Sequence, residues 1–238
     1  MQQIFEFPVA SLLTFDSFIG CDGNSAAVQF ARRIADPADA ENLLYLYGPS
    51  GSGKTHLLKA IAHALGSACH CAIPCLSCRD ILSADQLFEV LNDAPALLVD
   101  DLHLLRDDPS LRGGLWQVFN DHYTAGRKIA LAGLHSPREL PHLDDHLISR
   151  LLWGLVSRLD TSDDDSRRMI LKKIADDRQV RVPDDVVDYI LITTSREVGD
   201  LITTFETLYR LSMAQKRKIS LSLARESREY LTAGGRPL

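Results

Sequence analysis

The chain has 238 residues, 45% of them hydrophobic and 24% charged, which is typical of a globular protein with one large domain or two small ones. Its net charge of −6 excludes a surface that attracts nucleic acid everywhere, and no apolar run approaches the roughly 20 residues of a membrane helix. The N-terminus has neither a basic region nor a cleavage site, so we expect a cytoplasmic protein without membrane contact.

Short apolar runs alternate with helical patterns along the first two thirds of the chain, which predicts a parallel sheet with helices on its faces. We expect five strands, at residues 43–47, 71–76, 96–101, 128–133 and 153–159. The pattern changes near residue 160, where Ser162 is the expected N-cap of the first of three helices. The predicted organisation is a tail of residues 1–12, an α/β domain of residues 13–159 and a helical domain of residues 160–238.

Four cysteines cluster in the stretch CHCAIPCLSC: Cys69, Cys71, Cys75 and Cys78. A zinc site would use the C-x-x-C pair at the end of this stretch together with Cys69, Cys71 or His70. The cluster lacks the second, distant pair of ligands that zinc sites normally show, and its other residues are mostly small and apolar. We therefore favour cysteines that are buried in a strand.

A complete phosphate-loop pattern, G-x-x-x-x-G-K-[ST], follows the first predicted strand and precedes a helical pattern. Its glycines let backbone N–H groups surround phosphates, Lys54 can reach the β- and γ-phosphates, and Thr55 can bind Mg²⁺. The alternative is an ordinary glycine-rich turn. The candidate nucleotide ligands of this stretch are Gly48, Pro49, Ser50, Gly51, Ser52, Gly53, Lys54, Thr55 and His56.

Two aspartates follow the apolar run LLV at the end of the third predicted strand. Asp100 is the candidate to hold the Mg²⁺ shell, and Asp101 is the candidate to polarise an attacking water. The alternative is an acidic pair that merely ends a strand before a turn. We interpret His103, close to this pair, as a surface or packing residue.

In their order and spacing the motifs resemble those of the AAA+ ATPases of the DnaA group, and within it the short DnaA-homologous regulators called Hda. The resemblance covers nearly the whole chain, through residues 14–20, 48–58, 97–105, 119–120, 125–129, 147–155 and 214–219. It implies a five-stranded AAA+ domain followed by a small all-α lid domain, with ATP or ADP and Mg²⁺ as cofactors. Phe18 and Ile19, in the first of these stretches, would frame the adenine.

The stretch LISRLLWGL is similar to the arginine-finger motif of this group. The resemblance implies that Arg150 reaches the γ-phosphate of ATP on a neighbouring subunit or on a bound DnaA. A guanidinium fork suits phosphate oxygens, and its supply in trans raises hydrolysis steeply. The alternative is a surface arginine before a strand. Because AAA+ proteins often join head to tail, we also expect weak self-association.

Two positions depart from the group's pattern. The polar side chain that senses the γ-phosphate at a strand end is replaced by Leu134, and the lid arginine that touches the nucleotide is replaced by Gly199. His135 or Ser136 would substitute for the first only if the register slips, and Arg196 lies one helical turn before the second. We therefore predict that the protein's own ATP hydrolysis is slow and that the nucleotide acts as a conformational switch.

Two features of DnaA initiators are absent from the sequence. The link from Cys78 to Leu97 has room for a single helix at residues 85–91, without the initiators' additional helix, and no helix-turn-helix domain follows the lid. The resemblance therefore implies a regulator that docks on initiator DnaA and has no sequence-specific DNA binding.

The tail QQIFEF has a glutamine followed by apolar residues. It is similar to the short peptide with which Hda proteins bind the DNA-polymerase sliding clamp, although Gln3 replaces a leucine. Gln2 would orient the peptide by hydrogen bonds, and Phe5 and Phe7 would fill a hydrophobic pocket. The alternatives are a frayed terminus or a strand packed on the protein's own sheet.

The leading hypothesis is a nucleotide-switched regulator that is held at the nucleoid by the clamp and promotes ATP hydrolysis on DnaA. The first alternative is a DNA-associated AAA+ ATPase of the helicase-loader type. The others are a small-molecule P-loop kinase and a structural adaptor that binds no nucleotide.

Overall fold

A computed structural model describes residues 13–140 and 143–232. Its centre is a five-stranded parallel sheet, as predicted. Across the sheet the strands lie in the order second, third, fourth, first and fifth along the chain, an order that the sequence analysis does not predict. The strands are β1 (Leu43–Tyr47), β2 (Cys75–Ser77), β3 (Ala96–Asp100), β4 (Lys128–Gly133) and β5 (Leu155–Arg158).

Five helices flank the sheet: α1 (Ser25–Ala35), α2 (Lys54–Cys69), α3 (Ala84–Leu91), α4 (Pro109–Thr124) and α5 (Asp145–Leu151). Helices α1 and α2 cover one face, where Leu44 and Leu46 of β1 point, and α3, α4 and α5 cover the face of Leu43 and Tyr45. Because both faces are covered, these strands are apolar on both sides rather than alternating with polar residues. The carboxyl ends of the strands meet at one edge, where the loops can form a site.

Between residue 160 and residue 232, where the description of the chain ends, there are four helices rather than the expected three: α6 (Asp164–Asp177), α7 (Asp184–Thr193), α8 (Val198–Gln215) and α9 (Leu221–Thr232). They enclose a separate apolar core to which Phe205, Leu208 and Leu223 contribute. We call these helices the lid. No helix in the described part of the chain is long and apolar enough to cross a membrane.

The boundaries differ from the prediction at three strands, of which β3 is only one residue shorter and ends at Asp100. Residues 71–74 lie outside the sheet because the amide of Cys71 donates to Gly66 O at the end of α2, and Pro74 has no N–H for a ladder. The last strand begins only at Leu155, because the amide of Trp153 donates a hydrogen bond to Arg150 O and is not available to the sheet.

The expected N-cap of α6 is wrong by one residue. Asp163 caps the helix, because its carboxylate accepts a hydrogen bond from the amide of Ser166 at 2.7 Å. The hydroxyl of Ser162 instead donates to Asp160 Oδ1 at 2.6 Å.

The cysteines of the CHCAIPCLSC stretch do not share one environment. Cys78 is buried and Cys75 is half-buried, whereas Cys69 and Cys71 are exposed, so the core interpretation is wrong for those two. They are exposed because α2 ends at Cys69 and His70 turns the chain outward in a left-handed conformation (φ 55°). Burial raises the pKa of the Cys78 thiol to about 12, with help from the Asp101 and Asp100 charges. Within residues 13–140 and 143–232, no group of three or more His, Cys, Asp and Glu side chains is arranged to hold a metal ion.

Candidate functional site

The loop of residues 48–53 turns from the end of β1 into the start of α2. Gly53 precedes the helix with φ 102°, and a Cβ there would lie 2.8 Å from the ring of Phe18, so only glycine fits. The first N–H groups of α2 have no acceptor within the helix and carry its positive dipole end. The loop therefore has the geometry of an anion-binding turn.

Lys54 is buried within this loop. Its ammonium donates hydrogen bonds to Gly48 O at 2.8 Å and to Pro49 O at 2.7 Å. Burial lowers the pKa of Lys54, while the nearby charges of Asp100 and Asp101 act in the opposite direction. The ammonium is thus fixed at the mouth of the loop beside an acidic pair.

The acidic pair lies at the carboxyl end of β3, next to the first turn of α2. Thr55 Oγ1 donates to Asp100 Oδ2 at 2.5 Å, and the amide of Asp101 donates to Asp100 Oδ1 at 2.8 Å. A left-handed backbone at Asp101 (φ 54°) turns its side chain towards β2, where Ser77 Oγ donates to Asp101 Oδ2 at 2.8 Å. A hydroxyl and a carboxylate in contact are hard oxygen ligands, and such a set fits Mg²⁺ completed by water and phosphate.

A short segment before α1 lies over the loop. His56 Nε2 is 2.9 Å from Thr14 O, and the ring of Phe18 meets the ring of His56 edge-on at 5.0 Å. Burial lowers the pKa of His56, and the hydrogen bond with Thr14 O partly offsets this. Phe18 packs on the core of the α/β part while Ile19 packs on the core of the lid, so this segment bridges the two.

Leu134 and Gly199 occupy the two positions at which the resemblance implies polar side chains. Leu134 is half-buried and lies just after β4. Gly199 lies in the first turn of α8, against the phosphate loop. The guanidinium of Arg196 donates to Ser162 O at 3.0 Å and lies 3.7 Å from Asp164. In this structure the side chain of Arg196 therefore contacts the segment at the start of α6.

His103, which the sequence analysis interprets as a surface or packing residue, is half-buried in this structure. It lies in a short turn after the acidic pair, and its ring meets the ring of His135 edge-on at 6.4 Å. Burial lowers the pKa of His103; the Asp101 charge raises it, and the charges of Lys54 and His135 lower it further.

Arg150 lies at the end of α5 in a cage of aromatic rings. Its guanidinium carbon is 4.8 Å from the ring centre of Trp153, 5.1 Å from Tyr123 and 5.8 Å from Trp116. In the described residues its N–H groups have no carboxylate or carbonyl partner. The faces of the guanidinium are thus covered while its donor edge stays available.

Arg150 is remote from the loop of its own chain. Gly154, shortly after it, packs against Leu43 at the amino end of β1, whereas the loop follows Tyr47 at the carboxyl end. The length of β1 separates these ends by roughly 13 Å. Arg150 and the loop therefore belong to opposite edges of the sheet.

The sheet, the loop with its acidic pair and the helical lid define a P-loop domain of the AAA+ class. The family model of the bacterial DnaA ATPase domain matches residues 10–73 and 75–158, and the chain belongs to this family. The model of the Hda lid domain matches residues 164–227. These matches confirm the resemblance drawn from the sequence.

The chain is similar to the chromosomal replication initiator protein DnaA of Pelobacter propionicus, with 29% identity over 226 residues that cover 90% of this chain and 50% of that protein. It therefore spans about half the length of this initiator. Domain III of Thermotoga maritima DnaA gives a TM-score of 0.79 at 23% identity, covering 94% of this chain and 98% of that one. The AMPPCP-bound DnaA of Aquifex aeolicus gives 0.71 at 24% identity, covering 81% and 64%. The predicted AAA+ fold is confirmed by these structures.

The structure brings most of the predicted site residues together at the carboxyl edge of the sheet. The loop residues 48–56 lie beside Phe18, and Thr55 contacts Asp100. Arg150 lies apart from them. Gln2, Phe5 and Phe7 lie outside the described residues.

Proposed function

We propose that this protein is an adenine-nucleotide-binding regulator of replication initiation that docks on the sliding clamp and promotes ATP hydrolysis by initiator DnaA. The observation that carries the proposal is Arg150, whose donor edge is available although no phosphate loop of its own chain is within reach. An arginine in that position is suited to a nucleotide held by another molecule.

The nucleotide part of the proposal is supported by the loop and by the AMPPCP-bound DnaA relative. Backbone N–H groups of residues 48–53 would surround the phosphates, and Lys54 would release a loop carbonyl to contact the β- and γ-phosphates. Thr55 and Asp100 would hold Mg²⁺, which neutralises charge on the phosphates. Phe18, Ile19 and His56 would enclose the adenine from the segment that bridges the sheet and the lid.

The protein's own hydrolysis is expected to be slow. Asp101 has an oriented carboxylate that can polarise a water, but Leu134 and Gly199 offer no side-chain hydrogen bond to the terminal phosphate. We therefore assign the bound ATP or ADP a switching role: it holds the lid on the loop.

The action in trans rests on how Arg150 is presented. Cation–π contacts with Trp116, Tyr123 and Trp153 restrict the guanidinium without using its N–H groups. Trp153 and Leu152 are among the exposed large apolar residues, with 64% and 40% exposure, and give a docking partner an apolar contact around the arginine. The same surface would support weak head-to-tail association of two copies.

The clamp contact is proposed for the tail. Gln2, Phe5 and Phe7 would bind a pocket on the clamp and so concentrate the regulator where DnaA is to be inactivated. The tail and Arg150 then have separable roles: the first recruits and the second acts.

The test is hydrolysis of ATP bound to purified DnaA, measured with this protein, sliding clamp loaded on DNA, and Mg²⁺. Wild-type protein should accelerate hydrolysis, and Arg150→Ala should abolish the acceleration while still binding the clamp. Arg150→Lys is the matched control, because it keeps the charge but loses the planar fork. Gln2→Ala/Phe5→Ala should lose clamp binding and the acceleration, and Lys54→Ala should lose nucleotide binding.

The rival functions predict other results. Equal acceleration by wild type and Arg150→Ala would remove the arginine from the mechanism. Strong binding to single-stranded DNA without any effect on DnaA would indicate the helicase-loader alternative. Purified protein that carries no nucleotide and binds none would indicate an adaptor.

A further inference from the structure

Helix α2 ends at a pair of exposed cysteines that the proposed function does not use. Cys69 is the last residue of the helix, Cys71 lies two positions further on, and both side chains are exposed. His70 between them has a left-handed backbone, with φ 55° and ψ 36°. A residue of helical geometry in either hand places the Cα atoms of its two neighbours roughly 5.4 Å apart. Disulfides most often join Cα atoms about 5.5–6 Å apart, so the backbone here suits a bridge.

The carbonyl of Gly66 holds both cysteines at this end of the helix. Cys69 Sγ donates to Gly66 O at 3.9 Å, and the amide of Cys71 donates to the same oxygen at 3.2 Å. A Cβ on Gly66 would lie 2.8 Å from Cys71 O, so the absence of a side chain lets the chain fold back against the helix. The thiol of one cysteine and the backbone of the other therefore meet at a single acceptor.

The two thiols also interact with each other. Their hydrogen bond is the largest cause that raises the pKa of Cys71, followed by desolvation and the charge of an ionised Cys69. The Cys71 thiol is therefore the member of the pair that keeps its proton when the other ionises. The remaining cysteines are less accessible, since Cys21 and Cys78 are buried and Cys75 is half-buried.

We propose that Cys69 and Cys71 form a reversible oxidation site, a dithiol that a low-molecular-weight disulfide converts to an intrachain bridge. Disulfides in reducing compartments are usually transient, catalytic or redox-sensing, and exposed ones are easily reduced again. The site is independent of the proposed nucleotide binding. It lies at the opposite end of α2 from Lys54, and a helix of 16 residues spans roughly 24 Å.

The oxidation proceeds by two exchange steps. The Cys69 thiolate attacks one sulfur of the oxidant RSSR and displaces RS⁻, which gives a mixed disulfide on Cys69. Cys71 then loses its proton, and its sulfur attacks the Cys69 sulfur, forming the intrachain S–S bond and displacing the second RS⁻. The protein loses two electrons and two thiol protons, and the oxidant leaves as two molecules of RSH.

The experiment treats reduced protein with oxidised glutathione and maps every thiol by alkylation, proteolysis and mass spectrometry. Wild type should lose two free thiols, form the Cys69–Cys71 bridge, retain no glutathione and recover both thiols with a dithiol reductant. Cys69→Ser and Cys71→Ser should each retain one glutathione on the remaining cysteine, and both should fold because the positions are exposed. Cys75→Ser is the matched control and should form the same bridge as wild type.

Two comparisons separate a preorganised pair from any two cysteines of this spacing. A peptide of residues 66–72 provides the unstructured reference, and the folded protein should convert the mixed disulfide to the bridge faster than the peptide does. Gly66→Ala leaves both thiols in place but its Cβ displaces Cys71, so the mixed disulfide should accumulate at the expense of the bridge.

The opposite results would overturn the inference. Glutathione that stays on Cys69 or Cys71 of wild type without a bridge would show two independent surface thiols. A bridge from either of them to Cys75 would contradict the assigned pair. Wild-type thiols that stay free while the peptide is oxidised, or a protein that forms its bridge no faster than the peptide, would show that the fold does not prepare the site.

Discussion

Gly51 of the phosphate loop and Gly199 of the lid meet backbone against backbone. A Cβ placed on Gly51 would lie 2.7 Å from the amide nitrogen of Gly199, whereas a Cβ on Gly199 would meet nothing within 4 Å. At this point the lid approaches the loop with its main chain, and the space in front of Gly199 is open. We expect this contact to couple the loop conformation to the position of the lid, as the proposed nucleotide-dependent switch requires.

Gly51→Ala should separate the lid from the loop. Gly51 has φ 74° and Gly126 has φ 67°, but nothing lies within 4 Å of a Cβ on Gly126. Each alanine costs roughly 1–2 kcal/mol of the free energy of unfolding for the left-handed backbone. Gly51→Ala should cost more than Gly126→Ala and should also weaken nucleotide binding. Denaturant unfolding and nucleotide titration of both variants measure this; equal effects would show that the close approach is unimportant.

Gly199→Arg should increase the affinity for the nucleotide. The new side chain starts in open space next to the loop and can reach a phosphate, and Gly199 does not have the positive φ that an arginine would resist. A charge-assisted hydrogen bond contributes about 1.5–3 kcal/mol, so the Kd for ATP should fall by roughly tenfold or more. The ATPase rate of the protein should rise with it. Gly199→Ala is the control; a gain with alanine would mean that helix propensity, not the guanidinium, is responsible.

Trp153→Ala should impair the action of Arg150 on DnaA without unfolding the protein. Trp153 is 64% exposed, so its removal should change the free energy of unfolding little. Loss of its cation–π contact, about 0.5–2 kcal/mol, should reduce the acceleration of DnaA hydrolysis by roughly two- to thirtyfold. Trp153→Phe should retain part of the effect. A variant with full acceleration would show that the cage does not hold the arginine in its working position.

The sequence predicts the parts of the site that are local in the chain. The loop from Gly48 to Thr55 and the end of β4 at Gly133 follow from short patterns of glycines and apolar residues, and the end of β3 is predicted to within one residue. Hydrogen bonds between distant residues are not readable in this way. The start of β2 depends on Cys71 being held by Gly66 at the end of α2, and this contact forms only in the folded chain.

The environment of a single side chain is hardest to predict from the sequence where contacts with residues from distant elements determine it. The Arg150 cage takes Trp116 and Tyr123 from α4, and no local pattern around Arg150 points to them. The exposed Cys69 and Cys71 show the converse, since a small apolar stretch indicated burial that the outward turn at His70 prevents.

The cap of α6 gives a pH-dependent prediction. The hydrogen bonds from the Ser166 side chain and amide lower the pKa of Asp163 below its usual value of about 4. Because the folded pKa is the lower one, the stabilisation is fully present above the unfolded pKa and is lost as the pH falls through the folded pKa. Asp163→Ala should therefore lower the free energy of unfolding by about 1 kcal/mol at neutral pH, and by less below about pH 3.

Two variants make this a test of the cap itself. Asp163→Asn keeps an acceptor for the Ser166 amide but cannot titrate. From about pH 5 to about pH 3, the free energy of unfolding of this variant should therefore fall less steeply than that of wild type. Ser162→Ala should cost less than Asp163→Ala, because the Ser162 hydroxyl bonds to Asp160 and not to the helix. Urea unfolding at several pH values measures all three. A larger loss for Ser162→Ala would return the cap to Ser162 and contradict the hydrogen bond from Ser166 to Asp163.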